Sequence, residues 1–175
     1  MYKNYNPTND AFYLYYPPEY RVFNAIIEGM PVPSVRSVLD FYQKAFEPIN
    51  VSGLFSAFNI DIQSDVTKLI EDVQKLAESH KRPGMKTPMK HTLRKALMES
   101  ALLKIDIYSL GISLASMMYM MKLLDRKVVE SLSKTNALKL TAVEQVIHHM
   151  IRPNVFERWD TFKATEALMH LLTCM

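Results

Sequence analysis

Cysteine is nearly absent from this chain. The one thiol, Cys174, stands beside the C-terminal residue, so no disulfide can form within the chain, and an intracellular, cytoplasmic setting is expected. Glycine is scarce as well. The four glycines, at 29, 53, 84 and 111, lie too far apart to make a phosphate-cradling loop, which excludes both a P-loop and a dinucleotide fingerprint. No long hydrophobic run occurs. The least polar stretch, Ile107 to Met121, is interrupted by Tyr108, Ser109, Ser113, Ser116 and Tyr119. It falls short of the roughly 20 apolar residues that a membrane span needs. It reads as a buried core helix, with Met117, Met118, Met120 and Met121 as core filler, and no membrane partner is expected. The first residues, Met1-Tyr-Lys-Asn-Tyr-Asn-Pro7, carry no apolar segment of the kind a secretory signal requires. Strand alternation and internal repeats are missing too. Charge of neither sign dominates: 21 Lys and Arg face 18 Asp and Glu, a net +3 that gives no reason to expect a nucleic-acid partner.

What is present is a chain of 175 residues, 49% hydrophobic and 22% charged, enough for one domain with a core and too apolar to be disordered. Its periodicity is helical throughout. Glu19 to Glu28 reads as a short helix stopped by Gly29, Pro31 and Pro33. Ser34 caps a second over Val35 to Phe46, and Pro48 and Gly53 break that run. Val66, Leu69, Ile70, Val73 and Leu76 keep helical spacing after Asp61-Ile-Gln-Ser64. Residues 80–88 read as an exposed loop. Thr87 and Pro88 open a helix to about Leu103, and Asp106 caps a long one to about Leu124. Shorter helices are expected near 126–133 and 141–151, and a last one, capped by Asp160 or Thr161, runs to about Leu172. The fold class is all-α.

Three segments carry a family resemblance. The first is Tyr13-Leu-Tyr-Tyr-Pro-Pro-Glu19. The second is Asp106-Ile-Tyr-Ser-Leu-Gly111. The third runs Met150-Ile-Arg-Pro-Asn-Val-Phe-Glu-Arg158, then Trp159-Asp160-Thr161, then Thr165-Glu-Ala-Leu-Met-His170. In this order they resemble the C-terminal lobe of the eukaryotic-type protein kinases: the Ala-Pro-Glu that ends the activation segment, the central helix opening Asp-Ile/Val-Tyr/Trp-Ser, and the final arginine segment. Divergent C-lobes of this kind are familiar from kinases of large DNA viruses. The likeness covers about residues 11–28 and 104–172, so 1–175 is expected to be a single C-lobe-like domain with a large helical insertion over 30–100. Pro17 replaces the usual alanine, Pro153-Asn154 reverses the family's order, and Thr161 falls three residues after Arg158 instead of two.

The resemblance assigns roles. Glu19 would pair with Arg158 inside the lobe; Trp159, beside Arg158, reads independently of the resemblance as a packing anchor of the last helices. Asp106 would cap its helix and bind the backbone of a catalytic loop. Tyr13, Tyr15, Tyr16, Pro17 and Pro18 would form the wall that receives the substrate residue after the phosphorylation site. It also exposes what is missing. Phosphoryl transfer in this family needs a Gly-rich loop, a strand lysine, a His-Arg-Asp loop and a metal-binding Asp-Phe-Gly, and the sequence contains none of them. No catalytic residue is therefore assigned, and ATP and magnesium would enter only with a separate N-terminal half. The expected function is the substrate-docking and structural C-lobe of a serine/threonine-type kinase, inactive alone. The alternative is a non-catalytic helical interaction module, a degenerate kinase relic. The expected partner is a protein: the missing half, or a substrate or regulator.

Other clusters have plainer readings. His148 and His149 point about 100° apart on a helix and cannot readily chelate one metal. Lys81, Arg82, Lys86, Lys90, His91, Arg94 and Lys95 read as a solvated basic face, and Lys68, Glu71, Asp72, Lys75 and Glu78 as a mixed-charge exposed face.

Overall fold

The computed structural model describes residues 17–45, 49–81, 84 and 90–173, and the regular structure among them is entirely helical. Helix α1, Glu19–Ile27, buries Val22, Phe23, Ala25 and Ile27 on one face. It ends where Gly29 takes φ +69°, a left-handed conformation that suits glycine. The Met30 N–H then reaches back to the Ala25 carbonyl at 2.8 Å and the Gly29 N–H to Ile26, closing the last turn in a Schellman arrangement. Helix α2, Val35–Ala45, opens with the Ser34 hydroxyl accepting from the Ser37 N–H. Helix α4, Ile62–Ser79, is capped by Asp61, whose carboxylate accepts from the N–H groups of Gln63 and Ser64. Helix α5, Lys90–Ala101, follows; its expected Thr87-Pro88 opening lies outside the described residues.

Between α2 and α4 stands a helix absent from the periodic pattern, α3, Val51–Ala57. Gly53 does not break the chain there. The Asn50 side chain accepts from its N–H at 3.0 Å, placing the glycine in the first turn. Its missing side chain admits a neighbour: a Cβ at this position would sit 2.6 Å from the Tyr119 hydroxyl.

The second half holds α6, Ile105–Met120; α7, Arg126–Ser131; α8, Lys134–Met150; and α9, Thr161–Thr173. The expected bounds of two helices are corrected, and the choice of cap for a third is decided. Helix α6 begins one residue before Asp106, with Lys104 at the cap position and no side-chain cap bond, and it ends at Met120. Helix α8 begins at Lys134 because Ser133 caps it through the Asn136 N–H, well before the apolar spacing becomes visible. For α9, the Asp160 carboxylate accepts from the Lys163 N–H, so Asp160 is the cap.

Helices α1, α2, α3 and α5 pack on α4, while α6 packs on α8, α9 and α3, so α3 joins the two groups. One continuous apolar cluster runs from Val22 to Ala164. Gly111 sets the approach of α6 to the end of α8: a Cβ there would lie 2.7 Å from the Met150 Cβ and 2.8 Å from Ile151 Cγ2.

Helix α6 is apolar on nearly every side, yet only part of it is covered. Ile107, Tyr108, Ile112, Ala115 and Met118 are buried. Asp106, Leu110, Ser113, Met117, Met120 and Met121 are exposed. These recur every three or four residues and so form one stripe. Of the four methionines expected in the core, only Met118 is there, and Met120 is 68% exposed. Among the described residues no single helix is long and apolar enough to cross a membrane; α5 and α6 reach that length only as a pair bent by 43°.

Candidate functional site

The first turn of α1, the first turns of α6 and the loop after α8 converge on one buried charge pair. A carboxylate at the start of α1 lies where helix N–H groups favour negative charge. Glu19 fills that position and is fully buried. The Arg158 guanidinium meets it in a two-pronged contact: Nη1 donates to Oε1 at 2.6 Å and Nη2 to Oε2 at 2.9 Å. Burying either ion alone would cost several kcal/mol, so the remaining donors must also be satisfied. Two more are: Arg158 Nε donates to the Arg152 carbonyl at 2.9 Å, and Nη2 also to the Pro153 carbonyl at 3.3 Å. The guanidinium lies over the Tyr108 ring, 4.3 Å from its centroid. All three resemblance-bearing segments thus meet at one point, with Glu19 and Arg158 separated by 139 residues of chain.

The periodic reading did not find the layer behind this pair. Tyr42 of α2 and Tyr108 of α6 share a hydrogen bond between hydroxyls at 2.8 Å. Burial pushes both phenols well above their usual range. Lys104 Nζ donates to the Val155 carbonyl at 2.7 Å, and its pKa is lowered, first by burial and then by the neighbouring Arg158. Asn154 is buried with both ends of its amide engaged: Nδ2 donates to Asp72 at 3.0 Å, and Oδ1 accepts from the Phe156 N–H. Arg152 donates to Asp65 Oδ1 at 2.7 Å and also to Glu157, which Lys68 holds from α4. Burial raises the Asp65 pKa despite Arg152. The expected solvent face of α4 is therefore partly a docking face for the loop 151–158. For Tyr42 the only sequence signal was its place on the apolar side of α2, which says nothing about a hydroxyl partner.

The other assigned residues are distributed as follows. Tyr13, Tyr15 and Tyr16 lie outside the described residues, while Pro17 and Pro18 are buried at the mouth of α1. Asp106 is not the cap of α6. It is exposed in the first turn, and among the described residues its carboxylate has no hydrogen-bond or ion-pair partner. Trp159 stacks on His149 at 4.3 Å with rings 10° from parallel, and its backbone N–H donates to the His149 carbonyl, tying the end of α8 to the loop before α9. His148 instead contacts the Phe58 carbonyl at 2.6 Å, so the two imidazoles serve different neighbours. Burial, with His148 and Arg152 nearby, holds the His149 pKa below its usual value. Of the basic face, His91, Arg94 and Lys95 are exposed on α5; Arg82 and Lys86 lie outside the described residues.

This site is built to hold three chain segments together. Comparison with models of protein families, with curated proteins and with solved structures finds no match to this chain.

Proposed function

We propose that this chain is the structural and substrate-docking C-terminal lobe of a serine/threonine-type protein kinase, whose nucleotide-binding and catalytic residues lie outside these 175 residues. The observation that carries the reading is the buried Glu19–Arg158 pair seated on Tyr108. It joins the Pro-Pro-Glu triplet, the Asp106–Gly111 helix and the final arginine segment, the three stretches on which the resemblance rests. Residues 30–100 are then a helical insertion that braces the lobe, with Tyr42 and Asp72 reaching the junction. Asp106 fits the same picture: an exposed carboxylate without a partner among the described residues, at the head of an uncovered apolar stripe, is what a lobe presents to a catalytic loop on another segment. ATP and magnesium belong to that other segment.

The test is reconstitution. The full chain is mixed with a polypeptide encoded beside it that carries a Gly-rich loop, a strand lysine, His-Arg-Asp and Asp-Phe-Gly. Transfer of labelled phosphate from ATP to a serine peptide is then measured. Transfer should require both chains and should collapse with Asp106→Ala, a change at an exposed position that leaves folding intact. The uncovered stripe of α6 also favours a second reading, a non-catalytic interaction module. Absence of any such polypeptide, or a mixture that binds without transferring phosphate, would decide for the module.

A further inference from the structure

A cavity of about 450 Å³ opens between α1 and α2, within the range of ligand-binding clefts. Its walls are mostly apolar, and four of its residues are prolines: Pro17, Pro18, Pro31 and Pro33. Proline has no backbone N–H and a fixed φ, so these walls are stiff and offer few main-chain donors. Among the described residues none offers an edge for strand addition, and no row of amides is placed to cradle a phosphate. Binding must come from apolar contact plus the few polar side chains at the rim.

Among the described residues, Arg21 is the only charged one lining the cavity. Its guanidinium is already oriented: Nη2 donates to the Ser37 hydroxyl at 3.3 Å, and the group lies over the Phe41 ring at 5.0 Å. A guanidinium carries five N–H donors in a planar fork suited to a carboxylate. Here one of them is used by a neutral hydroxyl, and among the described residues no carboxylate pairs with Arg21. The charge that complements this rim is negative. Arg21, Met30 and Pro31 are exposed, so the cavity is an open groove through which a chain can enter and leave, unlike the closed chamber that encloses a small molecule.

We propose that the α1–α2 groove binds an extended peptide of a partner protein, with an aromatic or proline side chain seated in the cavity and a nearby Asp or Glu paired with Arg21. The inference does not rest on the kinase reading, since half of the groove comes from residues 30–41, which the family resemblance does not cover.

The experiment uses the full chain as bait for a random dodecapeptide phage library. Enriched sequences are made as fluorescein-labelled peptides and titrated by polarisation. Winners should share an apolar residue next to an acidic one. Arg21→Glu, a change at an exposed position, should weaken them at least about tenfold, the usual effect of losing a charge-assisted contact. The same variant should bind more tightly a peptide whose acidic residue is replaced by Lys. Circular dichroism of the variant confirms that it folds. Enrichment without acidic residues, binding unchanged by Arg21→Glu, or no enrichment would each overturn the proposal. Tighter binding of a phosphoserine version would overturn the carboxylate assignment, and enrichment lost only on dilution of the bait would point to a second copy of this chain as the occupant.

Discussion

At the residue scale, the Glu19–Arg158 pair dominates. Both side chains are entirely buried, so removing one leaves the other charged and without its partner. Glu19→Ala should therefore cost about 3–5 kcal/mol in urea unfolding of the full chain. A loss under about 0.5 kcal/mol, the range of surface substitutions, would contradict the burial. The double change Glu19→Met with Arg158→Leu should recover much of the loss, because two apolar side chains of similar volume leave no ion stranded. His149 sets a pH dependence. Its folded pKa lies below the unfolded value, so the unfolded chain takes up the proton first as pH falls. Its contribution is complete above the unfolded pKa of about 6.5 and is lost as pH drops through that value towards the lower folded one. Stability should thus rise with pH as the imidazole loses its proton, reaching its full value above about pH 6.5. His149→Phe, which keeps a ring against Trp159, should flatten this part of the slope. Asp65 works with the opposite sign: its raised pKa favours the folded state at acid pH, an advantage lost as pH rises through the folded value. The His149→Phe comparison isolates the imidazole because Asp65 is common to both proteins.

At the element scale, glycines mark where helices touch. Gly111→Ala raises helix propensity by about 1 kcal/mol but drives a Cβ into Met150 and Ile151. Overpacking of this kind costs about 1–3 kcal/mol, and the obstructing atoms include the Met150 Cβ, which cannot swing away. The net result should be a lower melting temperature, measured by circular dichroism, with helix content unchanged. Amphipathic spacing and caps make α1, α2, α4 and α9 legible in the sequence, since Ser34, Asp61 and Asp160 each announce a helix start. Helix α3 was hidden because Gly53 reads as a breaker, whereas here it clears space for the Tyr119 hydroxyl. The methionines of α6 misled for a related reason. Apolar composition says that a helix can be buried, but not on which side its neighbours stand, and Met117, Met120 and Met121 face away from α8 and α9.

At the scale of the whole molecule, the α6 stripe is an unsatisfied demand among the described residues. Leu110, Met117, Met120 and Met121 are all at least 46% exposed along one helix face. Patches of this kind associate in water. The isolated chain should show concentration-dependent self-association by sedimentation, and Met117→Lys with Met121→Lys should shift it towards monomer with little change in stability. The all-α architecture was legible from periodicity alone. The meeting of three segments was not: no local pattern links residues so distant, and only the resemblance gave a reason to join Glu19 to Arg158. Tyr42, Asn154 and Asp65 carried no such signal, because hydrogen-bond partners across a core leave no spacing in the chain.

The reach of that pair also bears on how the protein is made. A ribosome adding about 5–20 residues per second leaves Glu19 waiting on the order of ten seconds before Arg158 exists, with 139 residues between them. Throughout that interval the nascent α1 carries an unmatched acid on its inner side and has reason not to dock. Helices α2 to α5 can assemble on one another meanwhile. The final closure of the core is thereby deferred until the last segment emerges, and a ribosome stalled before Arg158 should yield a chain that proteases cut first at α1.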